Sequence, residues 1–297
     1  LLVVRRRVNW LFSKNQQPKT KNVLETVQLS IKLGMIGGGV MGEALLSRLV
    51  DRGIYLPNDV LISEPQAARR DFLAQTYGVQ VTTDNRAAAE ADVLLLAIKP
   101  QIFSAVATAV SGLFDTRTSP LLVLSILAGI PLSKLEAAFP QQPIVRAMPN
   151  TPATVGAGIT AIAPGTHTLA HHLVQARQIF EAVGEVVEVP ETAMDAVTGL
   201  SGSGPGYVAL VIEALADGGV AAGLPRAIAL QLALQTVKGT AQLLQETGQH
   251  PGQLKDQVTS PGGTTIAGVA ALERAGLRSA LIEAVLAAYG RSQELGR

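Results

Sequence analysis

From Lys32 the chain alternates short apolar runs with longer stretches in which apolar residues recur three and four apart. The runs predict strands at Lys32–Ile36, Asp59–Ser63, Val79–Thr82, Asp92–Ile98, Leu121–Ser125, Ile144–Met148, Gly158–Ala163 and Glu185–Val189. The periodic stretches predict helices near Glu43–Arg52, Gln66–Tyr77, Ile102–Leu113, Leu132–Phe139 and Leu169–Val183. Asp84-Asn85 reads as a polar step in a loop. Asp92–Ile98 is continuously apolar, the pattern of a central parallel strand buried on both faces. Alternation of this kind predicts an α/β fold with a doubly wound parallel sheet.

After Thr192 the strand signal stops. Helices are expected at Tyr207–Ala222, Arg226–Gln245, Thr265–Ala275 and Ser279–Gln293. Several, such as Val208–Ile212 and Ala227–Leu234, are apolar nearly all round. A helix without a polar face is central in its domain or buried against another chain. A unit of about a hundred residues cannot hide every such face, so an obligate helical homodimer is expected. Gly218, Gly219 and Gly223 suit either close helix contact or ordinary helix ends.

The first thirty residues carry six basic side chains against Glu25 alone and show little periodicity. They read as a basic, disordered leader or an upstream start that translation does not use; an organelle transit peptide is the other reading. The whole chain of 297 residues is 47% apolar and 16% charged, which excludes disorder as its main state. Its net charge of +1 proposes no nucleic-acid partner. The absence of cysteine removes disulfides, zinc-thiolate sites and a cysteine nucleophile, and suits a cytoplasmic protein. No apolar run reaches membrane-spanning length.

Two glycine-rich segments carry the candidate chemistry. Gly37, Gly38, Gly39, Val40, Met41 and Gly42 fit G-x-G-x-x-G between a strand and a helix. There the first glycine makes the turn, the second admits a pyrophosphate and the third packs helix on strand. Glu64 ends the second strand, 22 residues beyond Gly42, where an acidic side chain takes a ribose 2′-hydroxyl. Arg69 and Arg70 follow closely and could pair with a 2′-phosphate, so the choice of cofactor stays open. Ala97-Ile98-Lys99-Pro100-Gln101 ends the central strand at the edge where open α/β sheets bind ligands. In the C-terminal half, Ser260-Pro-Gly-Gly-Thr-Thr265 interrupts the helices and reads as an exposed helix N-terminus. Its free N–H groups make a seat for a small carboxylate.

Gly37–Gly42, Ala97–Gln101, Arg146–Pro152, Thr198–Tyr207, Asp217–Val220 and Ser260–Thr265 occur in the order of the pyrroline-5-carboxylate reductase family, which this chain resembles from about Lys32 to Glu294. The resemblance implies an N-terminal Rossmann-type domain over 31–192. An all-helical dimerisation and substrate domain over 193–297 would follow, with dimers assembled into a larger ring such as a decamer. It implies NADPH-dependent reduction of 1-pyrroline-5-carboxylate to L-proline, the last step of proline biosynthesis, with NADH also accepted. The cofactor would touch Gly37–Gly42, Glu64, Asn85, Ala97, Lys99, Pro100, Ile126, Leu127 and Ala128. Glu64 departs from the polar or basic residues common at that point. The substrate would sit on Val258, Ser260, Gly262, Gly263 and Thr264, with Thr265 hydrogen-bonding the ring nitrogen.

The chemistry agrees. A protonated cyclic imine is already electrophilic, so hydride transfer needs positioning and no strong acid at the reacting carbon. His167, His171, His172 and His250 lie outside the shared motifs; His171-His172 is expected to be solvated surface, and no metal site is expected. Related hydroxyacid dehydrogenases carry a proton-transferring lysine where this chain has Val208, which excludes alcohol oxidation by that route. Arg146 is expected to be structural and Asn150 to line the nicotinamide pocket. Ser201–Gly206 is either a cover over the cofactor or a tight helix entry. The rivals are a reductase of another cyclic imine acid and a nucleotide-binding paralogue without turnover.

Overall fold

A computed structural model describes residues 31–114 and 119–296. The leader expected over residues 1–30 lies outside them. The first half alternates as expected: β1 Leu33–Ile36, α1 Val40–Asp51, β2 Val60–Ser63, α2 Ala67–Tyr77, β3 Gln80–Thr82, α3 Asn85–Ala89, β4 Val93–Leu96, α4 Phe103–Val110, β5 Leu122–Ser125, α5 Leu132–Ala138, β6 Ile144–Met148, β7 Gly158–Pro164, α6 Ala170–Glu181 and β8 Gly184–Glu188. The strands form one sheet in the order β3-β2-β1-β4-β5-β6-β7-β8. β1 and β4 are neighbours, and the chain leaves them toward opposite sides of the sheet. That divergence opens the crevice at their carboxyl ends.

The sheet is not wholly parallel, which corrects the reading from alternation. β7 runs antiparallel to β6 and parallel to β8. The Pro149–Ala157 connection holds only a 3₁₀ turn, Thr151–Val155, and is too short for the crossover a parallel pair needs.

Both faces of the sheet are buried. On β4, Val93 and Leu95 enter one apolar cluster with Leu45, Leu49 and Ile62. Leu94 and Leu96 enter the other with Val106, Val110 and Phe139. Side chains alternate across a strand, so two covered faces demand the unbroken apolar run seen in the sequence.

The second half is helical: α7 Met194–Val197, a π-turn at Thr198–Gly202, then α8 Gly204–Ala221, α9 Arg226–Thr247, α10 Pro251–Gln257, α11 Thr264–Arg274 and α12 Leu277–Gly296. α8 and α9 form a hairpin whose own buried core is Ala216, Ala229 and Ala233. A Cβ on Gly219 would stand 3.0 Å from the Ala229 Cβ, so this glycine serves close helix contact. Gly223, at φ +100°, serves the turn between the two helices. Leu210, Leu232, Ile282 and Leu286 are half to two-thirds exposed on this chain. Large apolar side chains exposed in such number on three helices are a mark of association.

Three short helices, α3, α7 and α10, escaped the periodicity. α3 begins where Arg86 N–H donates to the Asp84 carboxylate at 2.8 Å. α10 begins where Gly252 N–H donates to His250 Nδ1 and His250 N–H to the Gln253 side chain, a reciprocal cap. Among the described residues, no helix is long and apolar enough to cross a membrane.

His172 corrects the surface reading of the histidine pair. It is buried, and its Nδ1 accepts the Leu169 N–H at 3.0 Å at the start of α6. Burial first, and the neighbouring His171 second, lower its pKa from the ordinary 6.5. A lowered folded-state value means that its stabilisation is complete above about 6.5 and is lost as pH falls through that range. Protonation also removes the acceptor. Glutamine at this position can keep the cap without titrating. His172→Gln is therefore expected to cost little at pH 7.5, and to be the more stable protein at pH 5.5 by roughly 0.5–1 kcal/mol. Thermal melts of both proteins at the two pH values measure this.

Candidate active site

The glycine loop lies between β1 and α1. Gly37 has φ +100°, and a Cβ there would stand 2.6 Å from the Ala97 carbonyl oxygen. A Cβ on Gly42 would stand 2.6 Å from the Gly37 carbonyl, so Gly42 lets helix approach loop. Gly39 differs: its backbone is extended, and a Cβ there would meet nothing within 4 Å. The first intrahelical bond of α1 runs from Glu43 N–H to the Gly39 carbonyl, and no side chain caps the helix. The N–H groups of Val40, Met41 and Gly42 thus lack helical acceptors, and the space beside Gly39 is open. This is the seat a diphosphate requires.

Two adjoining cavities extend from this loop. One, of about 440 Å³, is lined by Gly37, Gly39, Ser63, Glu64, Asn85 and Lys99, among others. Asn85 is held there because Ser63 Oγ donates to its Oδ1 at 2.6 Å. The second, of about 280 Å³, shares Ala97 and Ile98 with the first and continues over Met41, Ile126, Met148, Asn150 and Gly202. Ile126 reaches the cavity because its N–H bonds the Leu96 carbonyl, and Ser125 Oγ accepts Leu127 N–H at the next turn. The Leu127 side chain is buried in the core, which leaves only its backbone to meet a ligand. Ala128 is exposed but lines neither cavity. Pro100 turns instead into a groove between α4 and α5.

Asn150 ties the two halves of the chain at this point. Its Oδ1 accepts Ile159 N–H at 3.0 Å and its Nδ2 donates to the Ser201 carbonyl at 3.2 Å. The π-turn is thereby fastened over the second cavity, and a Cβ on Gly202 would stand 2.9 Å from the Met148 methyl. Met148, Pro149, Thr151 and Gly202 as cavity lining could be foreseen only in part, since they come from separate elements. Arg146 is buried against Glu191 at 3.1 Å and so is structural.

The second glycine segment has the geometry of a cradle. Gly262 has φ +68°, and a Cβ on Gly263 would stand 2.3 Å from Ser260 Oγ. α11 starts directly after Gly263 without a side-chain cap, and its first bond is Ala267 N–H to the Gly263 carbonyl. Thr264, Thr265 and Ile266 therefore present N–H groups lacking helical acceptors. Ser260, Thr264, Thr265 and Val258 are exposed. None of residues 258–265 lines either cavity of the crevice. The structure thus brings the cofactor residues together and leaves the substrate residues apart from them on this chain.

Known proteins agree with both halves. A family model described as pyrroline-5-carboxylate reductase dimerisation matches residues 191–295, and one described as NADP oxidoreductase coenzyme F420-dependent matches residues 32–129. Pyrroline-5-carboxylate reductase of Synechocystis sp. is 61% identical over 270 residues, covering 91% of this chain and all of that protein. This chain belongs to the pyrroline-5-carboxylate reductase family. The solved structure of the Coxiella burnetii pyrroline-5-carboxylate reductase superposes with a TM-score of 0.84 at 36% identity, over 91% of this chain and 99% of that one. The Plasmodium falciparum pyrroline carboxylate reductase, solved with NADP bound, gives 0.80 at 32% identity, with 91% and 99% covered. As a pyrroline-5-carboxylate reductase family member, the chain is an NAD(P)H-dependent oxidoreductase with a helical dimerisation domain. The exposed leucines of α8, α9 and α12 belong to that domain. Val208, at the position of the hydroxyacid dehydrogenase lysine, lines an apolar cavity with Leu200, Pro205 and Ile212. No group of three or more His, Cys, Asp or Glu side chains is placed to hold a metal among the described residues.

Proposed function

We propose that this protein reduces 1-pyrroline-5-carboxylate to L-proline at a site that two copies build together. The observation that carries the reading is a pair of helix starts without side-chain caps, at Gly39 and at Gly263, suited to a diphosphate and to a carboxylate. The dinucleotide fits the first half, where Gly37–Gly42 hold its diphosphate and Asn85, Ala97, Lys99 and Ile126 border the crevice. When bound, its dihydronicotinamide supplies the hydride. The unpaired N–H groups of Thr264, Thr265 and Ile266 would hold the substrate carboxylate, aided by the helix's positive end. The Thr265 hydroxyl would hydrogen-bond the ring nitrogen, and Ser260, Gly262 and Val258 would shape the ring's bed. Met148, Asn150 and the Gly202 turn exclude water from the reacting face.

The cradle is absent from the crevice of its own chain, and the apolar helical face needs a partner. A twofold dimer satisfies both by bringing each cradle to the other subunit's crevice. A ring of such dimers, implied by the family resemblance, and a cytoplasmic location, suited by the absence of cysteine, complete the reading. Loss of absorbance at 340 nm with the imine, and proline as product, is the expected assay result. Turnover of a six-membered cyclic imine but not of the five-membered one would replace the reading, and oxidation of neither would end it.

A further inference from the structure

We infer that this chain selects NADH over NADPH, with Glu64 as the selecting residue; the inference rests on the dinucleotide crevice proposed above. Glu64 ends β2 and is nine-tenths buried, yet it lines the cavity beside Gly37 and Gly39. Its carboxylate is fixed from two sides. Gly38 N–H donates to Oε2 at 3.0 Å and Gln66 N–H to Oε1 at 3.0 Å. An ionised carboxylate has about four acceptor positions, so one on each oxygen remains. The adenosine ribose of NADH carries two hydroxyl donors to meet them. The 2′-phosphate of NADPH carries a charge of roughly −1.5 to −2 at neutral pH and is almost without donors. It would lose the bond and meet a like charge that cannot swing away.

The two arginines that follow Glu64 and could reverse this are already engaged. Arg69 Nε donates to the Gly38 carbonyl at 2.6 Å, its other end pairs with Glu43, and its guanidinium lies 5.0 Å from the Phe72 ring centre. Glu43 is fixed in turn by the Tyr77 hydroxyl at 2.8 Å. Arg70 donates to the Glu64 and Pro65 carbonyls, both at 2.8 Å. The two arginines that the sequence offered as phosphate ligands thus brace the loop and the strand end. Arg70 does so through one terminal nitrogen, and neither arginine lines the crevice cavity.

The test needs no imine substrate. Dissociation constants for NADH and NADPH are measured by the fluorescence of the bound dihydronicotinamide, and those of the fragments 5′-AMP and 2′,5′-ADP by competition. NADH is expected to bind at least tenfold more tightly than NADPH, and 5′-AMP more tightly than 2′,5′-ADP. Glu64→Gln, which keeps shape and one acceptor, should narrow the dinucleotide ratio at least fivefold. Arg70→Ala should change both affinities alike. Equal or NADPH-favouring affinities in the unaltered protein overturn the inference. So does an unchanged ratio in Glu64→Gln, or a loss confined to NADPH in Arg70→Ala. Because the readout is binding, failure of imine reduction would sink the proposed reaction and leave this result standing.

Discussion

Thr265→Ala is expected to lower kcat about a hundredfold, the loss typical of one hydrogen-bond donor aimed at a reacting group. The same substitution should leave the dinucleotide dissociation constant within twofold. The asymmetry follows from placement. Thr265 is exposed in the first turn of α11, and neither cavity of the crevice contains it. The backbone N–H groups of residues 264–266 survive the change, so the substrate carboxylate keeps its seat and KM moves little. What is lost is the hydroxyl that would orient the imine nitrogen while the carbon accepts hydride. Steady-state kinetics beside a fluorescence titration of the cofactor measure both quantities. Equal losses in turnover and in dinucleotide affinity would remove Thr265 from the role assigned to it.

Gly39→Asp is expected to do the reverse: the fold stands and the cofactor leaves. Gly39 is the helix N-cap, in ordinary extended backbone with open space where a Cβ would go. Aspartate is among the best N-cap residues, and its carboxylate would accept the free N–H groups of α1. The melting temperature should hold or rise. On the proposed reading those N–H groups seat the diphosphate, and a like charge placed there costs several kcal/mol. At about 1.4 kcal/mol per decade, dinucleotide affinity should fall at least a hundredfold. Thermal melts and cofactor titration on one preparation check the pair. Gly37→Ala would not discriminate, because φ +100° and the 2.6 Å approach to the Ala97 carbonyl damage the fold itself. An aspartate variant that binds cofactor normally would refute the diphosphate seat.

The glycine loop and the buried central strand were legible because local rules decide them. Gly37 needs its positive φ, and β4 needs apolar residues on both faces whatever surrounds them. The direction of β7 was not legible from strand-helix alternation; the length of the Pro149–Ala157 connection decides it. α3 and α10 were missed because Asp84 and His250, polar side chains at their caps, define them, and apolar spacing does not. The histidine pair was misread for a related reason: His172 faces back along the chain to cap Leu169. Glu64, Arg69 and Arg70 were recognised as rivals for the cofactor ribose, but sequence cannot say which charges are already spent. That answer lies in contacts spanning up to 31 positions, such as Arg69 to the Gly38 carbonyl. Met148 and Gly202 became cavity neighbours only through the packing of the two halves.

Mixed dimers of Gly39→Asp and Thr265→Ala, carrying different tags and purified through both, bear most directly on the shared site. In such a dimer one pairing joins an unaltered crevice to an unaltered cradle, and the other joins both defects. Each homodimer should be nearly inactive, while the mixed dimer should recover about half the unaltered rate if each cradle serves the opposite subunit's crevice. Activity that stays at the level of the two inactive parents would mean that crevice and cradle work within one chain, and the two-copy site would be wrong.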